Sequence, residues 1–97
     1  NLVYYAPAEI KVQFIGSPGG KASFQTKGLT KGRLPMRERS PEDTGGRQGI
    51  YEGVYIIQPG DACRNKRIIF RLQGTDGKRV KKKSLARITI LPYQQPQ

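Results

Sequence analysis

Few side chains in this sequence are equipped for bond-making chemistry. Its 97 residues contain no histidine and one cysteine, Cys63. A Ser-His-Asp triad, a Cys-His dyad, a His-ligated metal and an internal disulfide are therefore excluded. The carboxylates Glu38, Glu42, Asp43, Glu52 and Asp61 are scattered, with no spacing that pairs two of them for acid–base work. Glu42 and Asp43 fall in a loop, where a calcium site would need more oxygen ligands at regular spacing. Glu52 reads as surface charge, and Asp61, after Pro59-Gly60, as a turn former that bonds local backbone. Arg64, Lys66 and Arg67 near Cys63 are cations of the kind that lower a thiol pKa, but no base or resolving cysteine accompanies it. A small packed or half-exposed residue is the expectation there. Gly16-Ser17-Pro18-Gly19-Gly20-Lys21 lacks phosphate-loop spacing and no helix follows it, so it reads as a turn between strands. The chain is expected to hold no catalytic, cofactor-binding or metal-ligating residues of its own.

What it holds instead is positive charge. Eighteen Lys and Arg against seven Asp and Glu give a net charge of +11. Between Arg64 and Arg87 ten basic residues meet one acid, Asp76, so most of the excess lies in a quarter of the chain. Strand alternation turns Arg67, Arg71 and Arg87 to solvent, and Lys81, Lys82 and Lys83 are expected to extend that side at the end of a hairpin arm. These six are the candidate anion-binding residues. Such a surface attracts polyanions with an affinity that falls steeply with salt. Lysine runs on strands also keep edges from pairing and keep a small protein soluble. Nucleic-acid recognition calls for aromatics among the cations as stacking platforms, and this segment has only Phe70, on the inward phase.

The elements that must position these residues are strands. Ile10, Val12 and Phe14 alternate with Lys11 and Gln13, the period-two pattern of a strand with one buried face. After the Gly16–Gly20 turn, Ala22 and Phe24 resume it. Arg33 to Arg39 reads as a short edge strand, because Pro35 has no N–H for a ladder. Ser40 to Gly49 reads as an exposed, mobile loop. Ile50 to Gln58 has apolar residues on both faces, as in a central strand covered on both sides or partly covered outside. Arg67 to Gln73 turns Ile68, Phe70 and Leu72 inward. An Asp76-Gly77 pair then marks a hairpin into Lys78 to Lys83. Leu85 to Leu91 carries Ala86, Ile88 and Ile90 inward.

About seven short strands without a helix point to an all-β fold, an antiparallel immunoglobulin-like β-sandwich, with a small OB or SH3-like barrel as the competitor. The core is expected at Ile10, Val12, Phe14, Phe24, Ile68, Phe70, Leu72, Ile88 and Ile90. One domain spans residues 10–91, after a lead-in at 1–9 and before a tail or linker at 92–97. No apolar run approaches the roughly 18–20 residues of a membrane span. A sequence opening at Asn1 is read as processed or excised.

Three segments carry a family resemblance: Gly16-Ser17-Pro18-Gly19-Gly20-Lys21-Ala22-Ser23-Phe24, Leu34-Pro35-Met36-Arg37-Glu38, and Gly49-Ile50-Tyr51-Glu52-Gly53-Val54-Tyr55, with Pro59-Gly60-Asp61 closing. In that order they resemble the Ig-like module that precedes the catalytic domain in some bacterial cell-wall amidases, the N-acetylmuramoyl-L-alanine amidases. The resemblance covers about residues 10–91. It implies a non-catalytic accessory module of an exported, extracytoplasmic cell-envelope protein, positioning or spacing an enzyme at peptidoglycan or another anionic envelope polymer. The parent's zinc ligands would then lie outside this chain. The matching positions resemble framework, so no site residue follows from them. The alternative is an intracellular basic β-domain that binds nucleic acid.

Overall fold

A computed structural model describes residues 2–5 and 8–91, so the tail expected at 92–97 lies outside the described residues. Alternation of β-branched and aromatic residues with polar ones builds strands throughout, and no helix forms among the described residues. The strands are β1 (Leu2–Tyr5), β2 (Glu9–Ile15), β3 (Lys21–Gln25), β4 (Leu34–Pro35), β5 (Arg37–Glu38), β6 (Ile50–Ile56), β7 (Cys63–Gln73) and β8 (Arg79–Leu91). They make two sheets, one ordered β1-β8-β7-β3-β4 and the other β2-β6-β5. Among the described residues no helix is long and apolar enough to cross a membrane.

The two sheets share one core. Ile10, Val12, Phe14, Phe24, Ile68, Phe70, Leu72, Ile88 and Ile90 are all buried, as their alternation predicts, and Tyr51, Ile57 and Cys63 join them. Phe14 of one sheet stacks on Phe70 of the other, with ring centroids 5.4 Å apart. Gly53 of β6 leaves the gap that Phe24 fills from across the core. A Cβ on Gly53 would stand 2.5 Å from Phe24 Cε1.

Four features depart from the sequence reading. Leu2–Tyr5, inside the expected lead-in, forms β1 and runs parallel to β8, so the larger sheet is mixed, not wholly antiparallel. The run from Arg33 to Arg39 splits between the sheets: β4 pairs with β3, the Met36 N–H donates to Ala22 O, and β5 pairs with β6. Pro35 does stand on an edge strand. In the central strand β6, Val54 and Ile56 are exposed, so of the two coverings expected for it the partial one holds. Segments 78–83 and 85–91 are one strand with a bulge, where Ser84, Leu85 and Ala86 lie between the pairs Ile69↔Lys83 and Arg67↔Arg87. Ala86, expected inward, is exposed there, because Ser84 Oγ accepts the Ile68 N–H at 2.9 Å and donates to Ala86 O at 2.7 Å. Finally, Ile69 is buried on the outward phase of β7, so that strand is covered on both sides at this point.

Two substitutions test this core. Phe70→Ala should lower stability by about 3–5 kcal/mol through lost contacts and a cavity. Gly53→Ala should cost about 1–3 kcal/mol by overpacking Phe24. Urea unfolding at constant slope reads both, and wild-type midpoints would exclude the packing described.

Candidate anion-binding face

The three segments singled out in the sequence meet in one cluster. The Glu38 carboxylate accepts the Gly19 N–H at 2.8 Å on one oxygen and the Gly49 N–H at 2.9 Å on the other. The Tyr51 hydroxyl donates to Ser17 O at 2.6 Å and accepts the Gly20 N–H at 2.9 Å. The Gly16 N–H donates to Gly49 O at 2.9 Å. Gly49 adopts φ +78°, and any Cβ there would strike Gly16 O. The residues are framework, holding the β2–β3 turn against β5 and β6. Glu38, which the sequence left among scattered acids, is the hub, and its position one strand-pair from two glycine turns gives no sequence signal. The two backbone donors hold its carboxyl below the ordinary value of 4.5. A second polar contact closes the far end of β6. The Tyr55 hydroxyl donates to Asp61 Oδ2 at 2.6 Å, and the same oxygen accepts the Gln58 N–H at 2.8 Å. Burial, and then the hydrogen bond and charge of Asp61, push the Tyr55 hydroxyl up to about 12.

With these groups committed to framework, the cations define the remaining chemistry. The strands of the five-stranded sheet contain ten Lys and Arg and no carboxylate. Those of the three-stranded sheet contain two cations and three carboxylates. Cross-strand partners share a face, so the register sorts the charges. Arg71 pairs with Lys81, Ile69 with Lys83, Gln73 with Arg79 and Arg67 with Arg87, all on the face opposite the core. Lys21 of β3, opposite Gln73, belongs to it as well.

Five of the six expected anion-binding residues therefore share a face: Arg67, Arg71, Lys81, Lys83 and Arg87. Lys82 does not. It pairs with buried Phe70 and so points to the other side of the ribbon, because successive strand residues alternate. Arg79, Lys21 and Arg33 escaped the sequence reading, although Arg79 has the same phase as Lys81. Lys21, Arg33, Arg71, Arg79 and Lys81 line a concavity of ≈ 470 Å³ together with Ser23 and Gln73. Arg71 is half-buried, and its Nη1 donates to Gln25 Oε1. A larger concavity of ≈ 630 Å³ lies by β5, but its charges are mixed: Arg39 pairs with Glu52 at 3.5 Å, and Glu38 belongs to the turn cluster.

Comparison with family models, curated proteins and solved structures finds no match to this chain.

The Glu38 cluster makes a prediction with a definite sign. A carboxylate whose folded pKa is depressed adds stability above its unfolded value and loses that contribution as pH falls through the folded one. Below about pH 4.5 wild type should lose stability more steeply than Glu38→Gln. Thermal melting of both across that range decides it, and parallel curves would show that the Glu38 carboxylate does not hold the two turns.

Proposed function

We propose that this chain is a non-catalytic, immunoglobulin-like accessory module that docks an anionic polymer on the outer face of its five-stranded sheet. The observation that carries this reading is the segregation of charge between the sheets. A solubilising distribution would scatter cations among acids over both. Here like charges stand directly opposite one another at Arg71↔Lys81 and Arg67↔Arg87, an arrangement that destabilises a sheet unless something anionic answers it.

The strand order supports the immunoglobulin-like assignment. The pairing β2-β6-β5 corresponds to strands B-E-D, and β8-β7-β3-β4 to G-F-C with an added C′. The resemblance of the three framework segments to modules of cell-wall amidases supports an exported, extracytoplasmic setting at the cell envelope, with peptidoglycan or an associated polymer as partner. In this reading hydrolysis belongs to another domain of the parent protein, which supplies its own zinc ligands. The module contributes placement.

Co-sedimentation with purified cell walls at low salt tests it. Wild type and Lys82→Gln should pellet alike, because Lys82 lies off the face. The double variant Lys81→Gln/Lys83→Gln should stay largely in the supernatant. All three should melt within about 0.5 kcal/mol of one another, as exposed substitutions do. Equal pelleting of all three would reduce the lysine run to solubilising charge.

A further inference from the structure

Resting on the anionic-face reading above, we propose that the concavity between β3 and the β7–β8 hairpin is a subsite for a linear polyol-phosphate polymer, one phosphate to each cation of a row on β8. That row is Arg79 and Lys81, which line the concavity, and Lys83, the next residue of the same phase on β8 beyond it. All three are exposed, all lie on the face away from the core, and no bulge interrupts β8 between them. Residues two apart on a strand sit about 6.6–6.8 Å apart. The path between their Cα atoms is six covalent bonds. In a polyol-phosphate chain with three-carbon spacers, the path from one phosphorus to the next is also six bonds. Extended, the two repeats therefore have closely similar lengths, and each phosphate in turn can meet the next cation.

The concavity supplies the rest of a phosphate site. Arg71 stands beside Lys81 and is tethered through Gln25, so its planar fork is oriented before a ligand arrives. Lys21 and Arg33 close the opposite side, and Ser23 and Gln73 offer neutral donors between the cations. No carboxylate lines the concavity. A polymer of sugar carboxylates spaces its charges by whole rings and cannot match the row cation for cation. Single-stranded nucleic acid shares the six-bond phosphate repeat, but its bases need aromatic platforms. Phe24 and Phe70 face the core, Tyr51 and Tyr55 belong to the other sheet, and β1 with its two tyrosines pairs with β8 only at Ile88–Leu91, beyond the bulge from the cation row. The residues between the cations, Ser23, Gln25, Ile69 and Gln73, suit a ligand whose linkers are small hydroxylated chains.

Calorimetric titration of the whole chain against three probes of equal charge number tests the proposal: synthetic poly(glycerol phosphate), polygalacturonate and oligo(dT). Poly(glycerol phosphate) should bind at least about tenfold more tightly than the other two. Its log affinity should fall against log salt with a slope near −2, as about three phosphates at roughly 0.7 each require. Arg79→Gln/Lys81→Gln should weaken it about tenfold and flatten that slope, and Lys82→Gln should leave both unchanged. Equal affinity for polygalacturonate overturns the phosphate subsite while leaving the anionic face standing. Tighter binding of oligo(dT) overturns it in favour of nucleic acid. Binding of none of the three at low salt overturns the subsite and the anionic-face reading together.

Discussion

The carboxylate of Glu38, accepting backbone N–H groups from two different turns, is the constraint on which the remaining geometry depends. The β2–β3 turn crosses between the two sheets, and the turn into β6 begins the central strand of the smaller one. Neither can use ladder hydrogen bonds where it bends, so its backbone donors need acceptors from elsewhere. Glu38 and the Tyr51 hydroxyl provide them, while the Tyr51 ring, fully buried, ties the polar cluster to the core. Fixing the turn fixes the phase of β3. Phe24 then enters the gap over Gly53, and Lys21 and Ser23 face outward beside Arg71.

The same arrangement lets the larger sheet carry its charge. Its inner face meets the core through Phe24, Ile68, Phe70, Leu72, Ile88 and Ile90, with Val80 and Lys82 left exposed at the hairpin end, and that burial outweighs the repulsion of exposed cations in high-dielectric surroundings. Ile69, buried on the outer side beneath the cations, adds apolar cover where the ribbon is most charged. The β-bulge at Ser84–Ala86 separates the straight row Arg79, Lys81, Lys83 from Arg87. Leu85, 97% exposed at the bulge, follows from that extra length of chain. Bulges commonly re-aim side chains near functional surfaces.

How much of this the sequence revealed depends on the range of the interactions involved. Alternation is local, and where a strand is regular it identified the buried side chains, as in β2 and β3; in β7 it found Ile68, Phe70 and Leu72 but not Ile69, buried on the outward phase. It failed at Ala86, because a bulge held by the Ser84 hydroxyl shifts the phase and nothing in Ser-Leu-Ala announces one. It placed Lys82 with Lys81 and Lys83 only because the three were treated as a projecting run; strict alternation separates them. β1 was missed because its pairing with β8 joins residues at opposite ends of the chain. The role of Glu38 was hidden for the same reason, since its two donors lie 19 and 11 residues away. The framework segments were visible as short motifs, but their convergence on one carboxylate and one hydroxyl is a property of the assembled sheets. Arg33 and Lys21 lie far from the dense basic segment in sequence and join it only through the concavity.

Backbone amide chemical shifts followed during titration with poly(glycerol phosphate) test most directly whether the outer face of the five-stranded sheet is the binding surface. The largest changes should fall on Lys21–Gln25, Ile69–Gln73 and Arg79–Lys83, with β2 and β6 nearly still. Changes centred on β2 and β6, or spread evenly over both sheets, would contradict it.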